Sequence, residues 1–248
     1  MEINKLLIFD ISGHFAHFKK YYTNASSLSY GIPPRTVIAG LIAGIIGKEK
    51  DTYYDLLGID QAAIGVTIIA PYRKIMQTMN YYNIEFKNYS LRYQVPMEVL
   101  IPLNNDLITY RIFFFHNTIL KAVKEKVQFH NYVYNPYLGI SEFLADIHYI
   151  DYIENAQIKA FSIYNQTDIR CCIRKKYIKN LNISQNCYVI ERMPVAFKPG
   201  RELFQFEDFF YDESGNFCKL DFYDNASIFN IQYRENYKII NENIVFME

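Results

Sequence analysis

The side chains in this 248-residue chain that could begin metal or nucleophile chemistry are five histidines and four cysteines. His14 and His17 stand three apart and can share a face, but the neighbouring residues offer no further ligands, and a structural metal site takes about four. Ser12 beside His14 is not a nucleophile–base pair, because adjacent side chains on a strand point to opposite faces. His116, with His130 behind it, is the candidate for general acid–base work. Cys171, Cys172, Cys187 and Cys218 include no Cys-x-x-Cys pair and read as reduced structural thiols. A Gly-x-Ser-x-Gly elbow, a Gly-x-x-x-x-Gly-Lys phosphate loop and a His-Glu-x-x-His zinc motif are all absent from the sequence. What recurs instead is a cation beside an aromatic ring. Lys19 and Lys20 abut Tyr21 and Tyr22, Tyr30 precedes Pro33-Pro34-Arg35, Lys87 adjoins Tyr89, and Arg92 adjoins Tyr93. Each pair can supply a phosphate contact and a stacking face to single-stranded RNA. Arg73 and Lys74 add charge nearby. The string Arg170, Arg174, Lys175, Lys176 and Lys179 reads as a second phosphate track or as a solvated face.

These residues need elements to hold them. Residues 3–11 read as a strand that feeds Gly13, whose missing Cβ permits a close backbone approach beside His14. Pro33 and Pro34 pre-set the start of a helix running to about Gly47, with Gly40, Gly44 and Gly47 on one face, so that it can lie close to a sheet. A short helix is expected over 51–57, and a β-branched strand over 63–70. Residues 72–96 are too long for a hairpin loop and too aromatic for a linker, and read as an excursion with short strands of its own. A strand over 107–115, a helix over 118–129 capped by Asn117 or Thr118, and a strand over 148–153 follow. The order strand, helix, strand, strand, helix, strand is the split βαβ, or ferredoxin-like, pattern. The rest is expected to be mainly β, with strands over 157–164, 187–193, 203–210 and 217–223 and a turn at Ser214-Gly215-Asn216. The expected division is therefore a palm over 1–155, with a thumb inserted at about 72–96, and a β-rich region over 156–248 packed on it.

Half the residues are hydrophobic and 17% aromatic, a folded composition with enough apolar surface for a sizeable core. The longest apolar run, 37–46, is about half of what a membrane span needs, and no signal-peptide pattern opens the chain, so a cytoplasmic protein without membrane contact is expected. Net charge is zero but unevenly placed. Residues 1–201 carry 23 basic and 16 acidic side chains, against 3 and 10 for residues 202–248. A basic body with an acidic tail is compatible with a local RNA groove and a protein-facing or solvated C-terminal part.

Two blocks carry a resemblance. Gly13-His14-Phe15-Ala16 with Pro33-Pro34-Arg35-Thr36 and Gly40-Leu41-Ile42-Ala43-Gly44-Ile45-Ile46-Gly47 forms the first, and Asn135-Pro136-Tyr137-Leu138-Gly139-Ile140-Ser141-Glu142-Phe143-Leu144-Ala145 the second. Together they resemble the CRISPR-associated Cas-five family of RNA-binding RAMP proteins, in its type I-B-like branch. The resemblance covers the chain through about residue 147 and the C-terminal third only loosely. It implies an α+β fold with a ferredoxin-like palm and a thumb after the second strand. It also implies a Cascade subunit that grips the repeat-derived 5′ handle of the crRNA, docks on the end of the backbone filament near the large subunit, and meets target DNA only through the complex. Gly13, His14, Lys19, Lys20, Tyr30, Arg35, Arg73, Lys74, Lys87 and Arg92 are the expected RNA-binding residues, with no cofactor or metal. One branch of the family cuts precursor RNA without metal, using tyrosine, lysine and histidine. Here Ile45 and Ile46 stand where that branch has its tyrosine, and Phe115 rather than lysine precedes His116. A non-catalytic subunit is therefore expected, with metal-independent cleavage through His116 or a protein-only adaptor as the alternatives.

Overall fold

A computed structural model describes residues 2–23, 26–83, 88–104, 106–161, 165–181 and 188–248; for 81–83 and 88–93 it describes the backbone alone. Lys87 and Cys187 therefore lie outside the described residues, as does the Arg92 side chain. The fold is mixed α and β, and strand-rich.

The first strand, β1 (Lys5–Gly13), leads into a tiny hairpin of β2 (Phe18–Lys19) and β3 (Ser29–Tyr30), and then into α1 (Arg35–Ile45). Next come β4 (Ala62–Ala70), the paired β5 (Tyr72–Asn83) and β6 (Asn88–Pro102), β7 (Ile108–His116), α2 (Leu120–Gln128) and β8 (Asp146–Glu154). Four of these strands form one antiparallel sheet in the order β4-β7-β1-β8. The two central strands, β1 and β7, are almost wholly buried, as their largely apolar runs require, and the charged residues within them, Asp10 and Arg111, pair with each other.

Helix α1 ends earlier than its apolar pattern suggests because Gly47, at φ 75°, takes the left-handed position. Lys48 N–H then bonds to the Ala43 carbonyl and Gly47 N–H to that of Gly44, the closing pair of a Schellman motif. The glycine face of α1 does not meet a sheet. A Cβ at Gly40 would touch Tyr53, at Gly44 Tyr134 and at Gly47 Val133, so this face receives two loops. Val133 and Tyr134 N–H groups cap the Ile45 and Gly44 carbonyls there. Residues 51–57 form turns rather than the expected helix. No side chain caps α2 at Asn117 or Thr118; instead the His116 ring accepts from the Thr118 and Ile119 N–H groups. Residues 72–102 differ most from expectation. They form one long hairpin, 12 and 15 residues a side, instead of an excursion of short strands.

The C-terminal part runs through β9 (Ile158–Phe161), β10 (Thr167–Ile169), β11 (Ile173–Arg174), β12 (Ile178–Leu181), β13 (Tyr188–Lys198), β14 (Glu202–Asp212), β15 (Cys218–Phe222), β16 (Ile228–Glu235) and β17 (Lys238–Val245). These strands make three small sheets, β10-β15-β12, β11-β14-β13 and β17-β16-β9. The hydrophobic cluster of the four-stranded sheet continues into them through Met193, Phe209, Tyr211, Ile231 and Tyr233. The outer edge of β4 is covered as well. Cys172 N–H bonds to the Val66 carbonyl and Met247 N–H to that of Ile64, which removes an exposed sheet edge.

Candidate nucleic-acid interface

Gly13 ends β1 at a point of close approach, but to protein. A Cβ there would lie 2.9 Å from Leu138 Cδ1 and 3.0 Å from the Leu144 carbonyl oxygen. His17 N–H bonds to the Leu138 carbonyl at 3.0 Å, and Gly139, at φ 93°, lies directly against the His17 carbonyl, where any side chain would collide. The Gly13 end of the first resemblance block and the second block, more than a hundred residues apart, thus fold into one surface. His14 and Phe15 are exposed on it, with the Phe15 ring 5.5 Å from that of Phe143.

The same loop is pinned to the base of the long hairpin. Ala16 exchanges both backbone bonds with Leu100, and Glu98 N–H bonds to the Ser27 carbonyl. His17 is buried between them, its Nδ1 donating to the Glu98 carbonyl at 2.7 Å and its Nε2 accepting from the Ser27 hydroxyl at 2.9 Å. Burial lowers the pKa of this imidazole, the neutral form that both bonds require. Among the described residues no cluster of three or more His, Cys, Asp or Glu could hold a metal, and His17 is fully occupied by protein.

The expected RNA-binding residues divide into two groups. His14, Lys19 and Arg73 are exposed, and no ion pair among the described residues holds any of them. The others are committed elsewhere. Arg35 is 1% exposed, and all five of its N–H groups are spent. Nε donates to Glu248 at 2.5 Å, Nη1 to the Leu57 and Val195 carbonyls, and Nη2 to those of Gly58 and Ala62. Lys20 donates to Glu191 at 2.6 Å and lies over the Tyr30 ring. Burial works against that ammonium, but the hydrogen bond it donates to Glu191 outweighs it and holds the pKa above its ordinary value. Tyr30 is fully buried, its hydroxyl bonded to the Arg192 carbonyl, and so offers no stacking face. Lys74 pairs with Glu213 at 2.9 Å. In this arrangement Arg35, Lys20 and Lys74 are held by protein groups and Tyr30 is buried, so the expected phosphate contacts of the three cations and the stacking face of Tyr30 gain no support from it. Lys87 and the Arg92 side chain lie outside the described residues.

Sequence reasoning missed the C-terminal contribution. Tyr21 and Tyr22 are exposed, and Tyr21 rests on Phe206 of β14 with ring centroids 4.4 Å apart. Glu191 of β13 collects Lys20, the Tyr211 hydroxyl at 2.6 Å and the Gly31 N–H at 3.4 Å. The basic string of 170–179 is no continuous track. Arg170 donates to the Gly215 and Ile69 carbonyls, Arg174 to Met247 and Glu207, and Lys176 to Glu207. His116 is buried, with Nε2 donating to the Leu56 carbonyl at 2.8 Å while Nδ1 receives the entry of α2. His130 stands in the left-handed position that closes α2, at φ 52°.

Neither a family model nor a curated protein matches the chain. Solved structures do. One described as a CRISPR RNA-guided surveillance complex superposes with a TM-score of 0.53 at 8% identity, over 87% of this chain and 90% of the other. A CRISPR protein from Archaeoglobus fulgidus gives 0.52 at 12% identity, over 98% and 100%. The fold is one that CRISPR-associated proteins use. At these identities the likeness speaks for the fold alone. No helix among the described residues is long and apolar enough to cross a membrane.

Proposed function

We propose that the chain is a non-catalytic, crRNA-binding subunit of a type I-B-like Cascade. In this reading the sheet β4-β7-β1-β8 with α1 and α2 is the ferredoxin-like palm, and the β5–β6 hairpin is the thumb. The subunit caps the repeat-derived 5′ handle, docks on the end of the backbone filament beside the large subunit, and reaches target DNA through the assembly. The observation that carries the proposal is the joint surface of the two resemblance blocks. It sits at the base of the hairpin and presents His14, Phe15, Lys19, Tyr21 and Tyr22 outward. Cations and tyrosine faces together suit an unpaired RNA strand, whose phosphates and bases need both. The buried, doubly bonded ring of His116 favours holding RNA over cutting it, since a general base must reach the hydroxyl it deprotonates.

The test is a co-purified complex carrying His14→Ala, Lys19→Ala and Tyr22→Ala together. None of these side chains is buried, so the variant is expected to fold as the parent does while its handle-containing RNA falls at least tenfold. Unchanged RNA content and affinity would leave a protein-only adaptor as the better account.

A further inference from the structure

One carboxylate sits where the fold calls for an apolar side chain. Glu191 takes the inward side of β13, with Ile190 and Arg192 exposed on either side of it and Met193 buried next along its own face. It is 7% exposed, and its cross-strand neighbour Phe209 is fully buried. A carboxylate held away from water has to be met by donors. The Tyr211 hydroxyl is one, at 2.6 Å, and the other two come from a single hairpin: Lys20 Nζ at 2.6 Å and the Gly31 N–H at 3.4 Å. Lys20 is the residue after β2 and Gly31 the residue after β3. One side chain of the C-terminal part thus grips that hairpin at two points.

An ion pair this deep adds little net stability, since an apolar pair of similar volume serves a core about as well. What it adds is direction. The Lys20 ammonium lies over the Tyr30 ring where it meets Glu191, while the Lys20 backbone closes the turn that follows. Its N–H donates to the Leu28 carbonyl at 2.8 Å. Its carbonyl accepts from the Thr23 hydroxyl at 2.9 Å and from the Thr23 N–H at 3.3 Å. Within that turn stand Tyr21 and Tyr22, both exposed, with nearly perpendicular rings 5.2 Å apart. The Tyr21 ring rests on Phe206 of β14, the strand paired with β13.

We infer that Glu191 is a positioning residue for the proposed RNA surface: through Lys20 it fixes the turn that presents Tyr21 and Tyr22 as stacking faces, and Lys20 is a tether rather than a phosphate ligand. The inference rests on the RNA-binding reading above and gives the C-terminal part a role in it. Its signature is a sign. Removing a negative charge from beneath a surface that binds RNA ordinarily tightens binding. Loosening the turn weakens binding instead, because stacked bases lose their platform.

The experiment titrates the purified full chain with a fluorescent uridine homopolymer of about fifteen nucleotides at several salt concentrations. Glu191→Gln keeps the side chain's shape and an acceptor for Tyr211. Its affinity is expected to fall about tenfold, the scale of one lost stacking contact. Lys20→Ala is expected to fall as far with the parent's slope of log K against log salt, and the double variant no further than either single. Hydrogen exchange, followed without RNA where every variant is folded, is expected to speed up over 18–31 in Glu191→Gln and to hold over 202–212. Tighter binding by Glu191→Gln, or a Lys20→Ala slope flatter by about 0.7, makes Lys20 a phosphate ligand and overturns the inference. Unchanged exchange over 18–31 overturns it too, as does a lowered melting temperature with affinity intact. The RNA reading fails separately, if Lys19→Ala and Tyr22→Ala bind the homopolymer as the parent does; exchange over 18–31 then decides by itself whether Glu191 holds the turn.

Discussion

Arginine at the first turn of α1, just after two prolines, has the look of a phosphate ligand in the sequence. In the fold its five N–H groups are spent on one carboxylate and four carbonyls. Arg35→Ala is therefore expected to cost about 3–5 kcal/mol, because a largely buried carboxylate and several carbonyls lose their partner at once; denaturant titration measures it. Lys19→Ala, on an exposed side chain, is expected to stay within about 0.5 kcal/mol while weakening RNA binding. His17 links the loop to pH. Its folded pKa lies below the unfolded value, so it contributes stability above about 6.5 that is lost as pH falls through the folded value. The melting temperature should drop between pH 7.5 and 5.5, and by less in His17→Gln. Equal slopes in the two proteins would refute that role.

At the scale of elements, the strands of the four-stranded sheet and both helices were legible, because long apolar runs and helical spacing report burial directly. Less legible was where glycine is needed for packing. Gly31 carries no motif by itself, yet a Cβ there would fall on the Tyr72 hydroxyl and lie 2.8 Å from that of Tyr211. Gly31→Ala is expected to destabilise by about 1–3 kcal/mol, with Tyr72→Phe recovering part of the loss in thermal melts. The long hairpin was misread for a related reason. Among its described side chains, Met76, Gln77, Thr78, Met79 and Asn80 are exposed in a row, so the alternation that marks a half-buried strand is missing there. The strands after β9 were partly recovered, but the pairing of β16 with β17 left no turn signal, since Asn236-Tyr237 replaces the usual glycine-containing turn.

Across the whole molecule, the uneven charge of the sequence is resolved inside the fold. Glu207, Glu213, Glu235 and Glu248 of the acidic tail pair with Arg174 and Lys176, Lys74, Arg111 and Arg35 of the basic body. Such pairing depends on tertiary structure, so counting lysines and arginines along the chain overstates the cations left free at the surface. The salt dependence of RNA binding should show the difference. With Lys19, Arg73, Lys87 and Arg92 as the contacts, the slope of log K against log salt is expected near −3 or shallower, against about −5 if all seven expected cations took part. Hydrogen bonds from Arg111 and Lys176 oppose the cost of burial and hold the Glu235 and Glu207 pKa values low. Their contribution is thus present above the ordinary glutamate value and lost as pH falls beneath it.

The central claim is that the surface around His14 grips the crRNA 5′ handle. Ultraviolet crosslinking of the chain inside its co-expressed complex, with nucleotides and peptides both mapped, tests it most directly. The account predicts handle nucleotides joined to peptides spanning 14–22 and the base of the 72–102 hairpin. A complex that retains its guide RNA but yields no handle crosslink to those peptides would contradict it.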